Sequence, residues 1–169
     1  MRLKFLVPLL LAACADEAGT APPEAKDVLL AAEPRFQPDA EACLVQTIYH
    51  EARGEGAAGM RAVGAVVLNR RASVAYPDTV CGVVRQSDDL GRCQFSWFCD
   101  GRADVMGEGE ALARARAAAR ALMDGAPDPT DGATSFHAAR IQPAWADELE
   151  ETARIGAHVF YANETGEDG

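Results

Sequence analysis

Ile48-Tyr49-His50-Glu51-Ala52-Arg53-Gly54-Glu55-Gly56 is the stretch on which the reading of this chain turns. It continues Asp39-Ala40-Glu41-Ala42-Cys43-Leu44-Val45-Gln46-Thr47, a segment with the start signals of a helix. Asp39 is placed to cap the first free amides, and Glu41 puts a negative charge in the first turn, where the helix dipole favours it. Gly54 and Gly56 offer the positive φ that ends a helix, so a helix is expected over roughly 40–53. At helical spacing Leu44, Thr47, Ile48 and Glu51 share one face. That face is otherwise apolar and expected to be buried.

A carboxylate at the last position of such a face has two ordinary fates. Solvated at the helix end, it is a surface residue like most glutamates. Held half-dry in a cleft, it keeps its proton to higher pH, because desolvation disfavours the ionised form, and it is then fit to act as a general acid. The helical face alone favours the first.

Further blocks downstream change that balance. Glu51-Ala52-Arg53-Gly54-Glu55 is followed by Val63-Gly64-Ala65-Val66-Val67-Leu68-Asn69-Arg70 and Tyr76-Pro77-Asp78-Thr79-Val80-Cys81-Gly82-Val83-Val84. Then come Cys93-Gln94-Phe95-Ser96, Ala133-Thr134-Ser135-Phe136-His137-Ala138 and Ile155-Gly156-Ala157-His158-Val159-Phe160. Together these blocks resemble the cell-wall hydrolase family of the spore cortex-lytic (SleB-like) type. The resemblance runs in order through about residues 40–162, which is far more specific than one short motif.

The resemblance implies cleavage of peptidoglycan glycan strands between MurNAc and GlcNAc, with Glu51 as the catalytic acid. It points to lytic transglycosylation, in which one Glu serves first as acid and then as base while a 1,6-anhydro-MurNAc ring closes. No metal or other cofactor is needed for that. A muramidase-type hydrolase would add a second carboxylate. Glu55 is the nearest in sequence, with pairing to Arg53 or capping of the next helix as its structural alternatives. The remaining alternative is a non-catalytic peptidoglycan-binding lipoprotein, against which the presence of Glu51 argues. A peptidoglycan amidase would need a zinc set. The implied fold is α+β and lysozyme-like: a helix-rich single domain with a small β-sheet lining the cleft.

The N-terminus carries a different message. Met1-Arg2-Leu3-Lys4 is a short basic region, and the apolar run from Phe5 to Ala13 is too short to span a bilayer. Leu11-Ala12-Ala13-Cys14 resembles a bacterial lipobox, so residues 1–13 are expected to be a lipoprotein signal peptide and Cys14 the lipidated residue. A plain signal peptide and a soluble periplasmic protein form the alternative. Residues 14–37, rich in Ala, Glu and Pro, read as a tether. The catalytic domain is then 38–163 and the C-terminal tail 164–169. Ala15 after the cysteine, with no aspartate, leads to the periplasmic face of a Gram-negative outer membrane as the expected location.

The five cysteines fit this reading. Setting Cys14 aside leaves Cys43, Cys81, Cys93 and Cys99, which in an oxidising compartment should form two disulfides. Three pairings exist. Cys93 and Cys99 flank a short aromatic loop, which favours Cys93–Cys99 and leaves Cys43–Cys81. None of the cysteines sits in a short Cys-x-x-Cys pair, and Gly54 stands where a zincin would have its second His, so a zinc site is not expected. The net charge of −10 is opposite in sign to that of a nucleic-acid binder. The domain is expected to act as a monomer on peptidoglycan.

Along the rest of the chain, Met60, Val63, Val67 and Leu68 mark a second helix ending near Arg71, with Gly64 allowing a close helix contact. Asp78 is a plausible cap for a short helix reaching Arg85. Residues 86–107 are the least regular. Alternation there puts Phe95 and Trp97 on one face, with Gln94, Ser96 and Phe98 on the other. Sugars offer both apolar faces and hydroxyls, so Gln94, Phe95 and Ser96 are candidate substrate contacts, as are His137 and Trp145. Glu108 to Met123 reads as a helix burying Leu112, Ala115, Ala119 and Leu122, with its arginines solvated. Thr134 to His137 and Ile155 to Tyr161 read as two strands that pair.

Overall fold

The computed structural model describes residues 39–163. The expected signal peptide, Cys14, the tether and the C-terminal tail lie outside the described residues. Among the described residues four α-helices, α1 (Ala40–Ala52), α2 (Ala57–Ala72), α3 (Val80–Arg85) and α4 (Glu110–Met123), accompany three strands, β1 (Ser135–Ala138), β2 (Glu150–Ile155) and β3 (His158–Ala162). Two short 3₁₀ turns, Ser96–Cys99 and Ala144–Glu148, complete the set.

The apolar face of α1 is buried as its spacing requires: Leu44, Thr47 and Ile48 are fully enclosed. Thr47 survives there because its hydroxyl donates to the Cys43 carbonyl at 3.0 Å, leaving no bare polar group in the core. α1 packs on α2 and α4. Gly64 is the reason they approach so closely. A β-carbon on it would lie 2.6 Å from Leu122 Cδ1 and 2.8 Å from Ile48 Cδ1. Leu44, Ile48, Met60, Val63, Val66, Val67, Val83, Val84 and Phe160 form the centre of the core. Burying each such side chain contributes about 1.5–3 kcal/mol before conformational entropy is subtracted. The stripe of α4 is the expected one with Ala118 added, and Arg120 pairs on the surface with Glu41 at 2.9 Å.

Several end signals differ from expectation. The Asp39 side chain makes no cap hydrogen bond; its backbone carbonyl accepts from Cys43 N instead. Neither Gly54 nor Gly56 has positive φ. α1 ends through Arg53, which stays helical, and Gly56 is extended (φ −73°, ψ 177°) as the residue that opens α2. At α3 the cap is Thr79, whose hydroxyl accepts from Gly82 N at 3.0 Å, and not Asp78. A hydroxyl one residue closer to the helix has the better reach.

The sheet is antiparallel in the order β1-β3-β2. What reads in sequence as one strand from Ile155 to Tyr161 is the end of β2, a two-residue turn and β3. Gly156 makes that turn with φ +61°, the left-handed conformation a tight hairpin demands. Central β3 is covered on both faces. Phe160 enters the main core, while Val159 and Tyr161 join Ala146 and Leu149 in a second small cluster.

Two side chains at the end of α2 fasten the helices to the sheet. Asn69 Nδ2 donates to the Ala133 carbonyl and to Asp128 Oδ2, both at 2.9 Å, and Arg70 Nε donates to the Thr134 carbonyl at 2.6 Å. Asp128 also accepts from the amides of Thr130 and Gly132. Burial works to raise its pKa, but these hydrogen bonds outweigh it and hold the carboxyl below its ordinary value. The loop leading into β1 is thereby set against α2. Cys43 is bonded to Cys81, tying α1 to α3, and Cys93 to Cys99 across the aromatic loop.

Candidate active site

Glu51 stands one residue before the end of α1, half-buried, at the point where the buried face of the helix meets a groove. It lines a cavity of about 490 Å³ together with Phe136, His137, Ala138, Pro143, Trp145 and His158. A neighbouring cavity of about 450 Å³ is lined by Arg70, Tyr76, Gln94, Ser135 and Glu148, and shares Phe136 and Trp145 with the first. The two shared rings are thus common walls of both cavities. Trp145, from the 3₁₀ turn Ala144–Glu148, remains 37% exposed, large for a tryptophan packed edge-on against His137 and Tyr161.

Burial pushes the Glu51 carboxyl above the ordinary carboxylate range, and the positive charge of Arg70 draws it part of the way back. Among the described residues lining its cavity, Glu51 is the only carboxylate. Arg70 is only 7% exposed. Its guanidinium is held by the Thr134 carbonyl and by Gln94 Oε1 at 3.2 Å, and lies over the rings of Tyr76 and Phe95 at 5.3 and 5.5 Å. A fixed cation beside a half-dry carboxyl keeps the proton available without trapping it there.

His137 is 6% exposed, between the Tyr161 hydroxyl on Nε2 and the Ala138 carbonyl on Nδ1, each at 3.0 Å. The residue still borders the Glu51 cavity. His158 borders it too, and burial lowers its pKa, with Glu55 acting in the opposite direction.

The block Gln94-Phe95-Ser96 divides three ways. Gln94 reaches the groove. Phe95, expected as a cleft wall, is corrected to a core residue: at 2% exposure it lies beneath Arg70 and cannot touch a ligand in the groove. Ser96 is exposed but borders neither cavity, because the chain turns into a 3₁₀ helix there. Trp97 is buried and stacks on His50 at 4.7 Å, away from Glu51. Arg70, Tyr76 and His158 complete the site and were not singled out from sequence. The signal was present for Arg70, since an arginine next to a run of buried valines at a helix end invites a search for partners. Among the described residues no three His, Cys, Asp or Glu side chains converge as metal ligands would.

The chain has recognisable relatives among known proteins. The family model for cell wall hydrolases matches residues 54–161, beginning three residues after Glu51. The spore cortex-lytic enzyme of Halalkalibacterium halodurans is 33% identical over 120 residues, covering 69% of this chain and 33% of that protein. The one from Bacillus subtilis is 31% identical over 117 residues, covering 69% and 35%. The chain therefore spans about a third of the length of these curated relatives. Among solved structures, the catalytic domain of the Bacillus cereus SleB protein superposes with a TM-score of 0.62 at 27% identity, over 75% of this chain and 92% of that one. The catalytic domain of the germination-specific lytic transglycosylase SleB from Bacillus anthracis gives 0.62 and 27%, over 75% and 97%. The α+β fold is lysozyme-like, and the chain belongs to the cell wall hydrolase family.

Proposed function

We propose that the domain cleaves peptidoglycan glycan strands between MurNAc and GlcNAc as a lytic transglycosylase, with Glu51 as both acid and base. The observation that carries this reading is a half-buried carboxyl of raised pKa, the only carboxylate among the described residues lining its own cavity, beside Phe136 and Trp145. Protonated Glu51 gives its proton to the glycosidic oxygen as the C1–O bond breaks and positive charge builds on the sugar. The resulting carboxylate then takes the proton of the MurNAc 6-hydroxyl as that oxygen bonds to C1. Glu51 ends protonated, no water is consumed, and the product is 1,6-anhydro-MurNAc. One carboxylate suffices for both steps. The SleB protein of Bacillus anthracis, whose catalytic domain has the same fold, is described as a lytic transglycosylase.

Glu148 favours a second reading. It borders the neighbouring cavity, so a hydrolase could use it to activate water. Muropeptide analysis separates the readings: anhydro ends support the transglycosylase, and reducing-end MurNAc lost in Glu148→Gln supports the hydrolase. Intact glycan would leave a binding protein.

The domain division is also a proposal: signal peptide 1–13, tether 14–37, catalytic domain 38–163 and tail 164–169. Lipid on Cys14 would hold the enzyme at the periplasmic face of the outer membrane. Such an anchor would favour cleavage of membrane-proximal glycan.

A further inference from the structure

The second Glu of the Glu51-to-Glu55 block has a different surrounding from the first. After α1 the chain is held by Arg53 N to Tyr49 O at 3.0 Å and Glu55 N to Ala52 O at 2.8 Å, so Glu55 follows Glu51 on a fixed turn. Its carboxylate Oε2 accepts the amide of Ala157 at 3.1 Å, across 102 residues of sequence. Two glycines make room for it. A β-carbon on Gly59 would meet the Glu55 side chain at 2.8 Å, and one on Gly156 would collide with its carboxylate. Glu55 is not among the residues lining the Glu51 cavity, whereas His158, one residue beyond its partner Ala157, is.

We infer that Glu55 is a positioning residue, a clamp between the end of α1 and the β2–β3 turn, and not a second acid or base. The clamp fixes the end of the sheet at the β2–β3 turn, next to His158 and its ring neighbour Phe136, relative to Glu51, and so sets the width of the groove at the reacting bond. A shift of about 1 Å in such a site costs up to about a hundredfold in rate. The inference rests on Glu51 being the catalytic group.

The test compares Glu55→Gln, Glu55→Ala, Gly156→Ala and the double variant Glu55→Ala/Gly156→Ala in the full chain. Purified soluble glycan strands serve as substrate, with kcat, KM, the pH–rate profile and amide exchange at Ala157 measured for each. Glutamine still offers an oxygen to Ala157, so Glu55→Gln should keep kcat within about threefold. Glu55→Ala should lose about tenfold or more, with exchange at Ala157 accelerated, and both should retain every limb of the wild-type pH profile. Gly156→Ala should impair wild type more than it impairs Glu55→Ala, because the collision is then gone. Equal inactivity of Glu55→Gln and Glu55→Ala with a missing pH limb would overturn the clamp. Wild-type kcat in Glu55→Ala, or unchanged exchange at Ala157, would overturn it as well. Glu51→Gln is the control: if it stays active, the reading of Glu51 fails, while Ala157 exchange still decides the clamp.

Discussion

Glu51 and Arg70 show what a single residue reveals in sequence and what it hides. The helical face that carries Leu44, Thr47 and Ile48 leads straight to Glu51, because a period of 3.6 leaves no other place for that side chain. Arg70 has no comparable pattern. Its burial depends on Gln94 and Thr134, which are 24 and 64 residues away. Phe95 misleads for a related reason, since an aromatic ring beside polar residues reads alike in a core and in a cleft. We expect Glu51→Gln to lower turnover by about 10²–10⁴, the range for loss of a general acid. Activity of the wild type should fall as pH rises past the elevated pKa of Glu51. Stability should move the other way in the variant. A carboxyl whose folded pKa is raised contributes stability below its unfolded pKa and loses it as pH rises through the folded value. The amide never ionises, so Glu51→Gln should match wild type near pH 4 and melt higher by pH 8. A melting curve for the variant that lies below wild type at pH 8 would contradict this.

At the scale of elements, the three long helices are legible because each carries an apolar stripe, and Gly64 marks where they meet. Helix ends are less so. Gly54 and Gly56 look like terminators, yet Gly56 serves to open α2 in an extended conformation. β2 escapes detection because Glu150-Glu151-Thr152-Ala153-Arg154 is an edge strand with a largely polar surface and an irregular register between Glu151 and Ala153. Only its partner β3 has both faces buried. Asn69 and Arg70 together hold the loop before β1 against α2, and Asn69→Ala should strip a donor from the buried Ala133 carbonyl and from Asp128. We expect a loss of about 2 kcal/mol in chemical denaturation, from one bond to a charged group and one to a buried carbonyl. A loss below about 0.5 kcal/mol would mean that the β1 loop is held by other contacts.

For the whole molecule, the disulfides and the N-terminal segment carry the remaining expectations. The Cys43–Cys81 bridge spans 38 residues and Cys93–Cys99 spans 6. Loop entropy assigns them about 4 and 2 kcal/mol as upper values, so Cys43→Ser/Cys81→Ser should destabilise more than Cys93→Ser/Cys99→Ser. Peptide mapping without reductant should recover both pairs, and a Cys43–Cys93 peptide would contradict the arrangement. No helix among the described residues is long and apolar enough to cross a membrane. Attachment is proposed to depend on Cys14 for its lipobox-like setting, Leu11-Ala12-Ala13-Cys14, and Cys14→Ser should block lipidation and change fractionation of the protein. Normal processing of that variant, with wild type soluble and free of lipid, would end the lipoprotein proposal without touching Glu51.

The most direct test of one-carboxylate cleavage is mass spectrometry of peptidoglycan digested with wild type and with Glu51→Gln. Wild type should release muropeptides ending in 1,6-anhydro-MurNAc, each lighter by one water than the hydrolytic product, and Glu51→Gln should release almost none. Reducing-end MurNAc from the wild type, or undiminished anhydro product from Glu51→Gln, would contradict it.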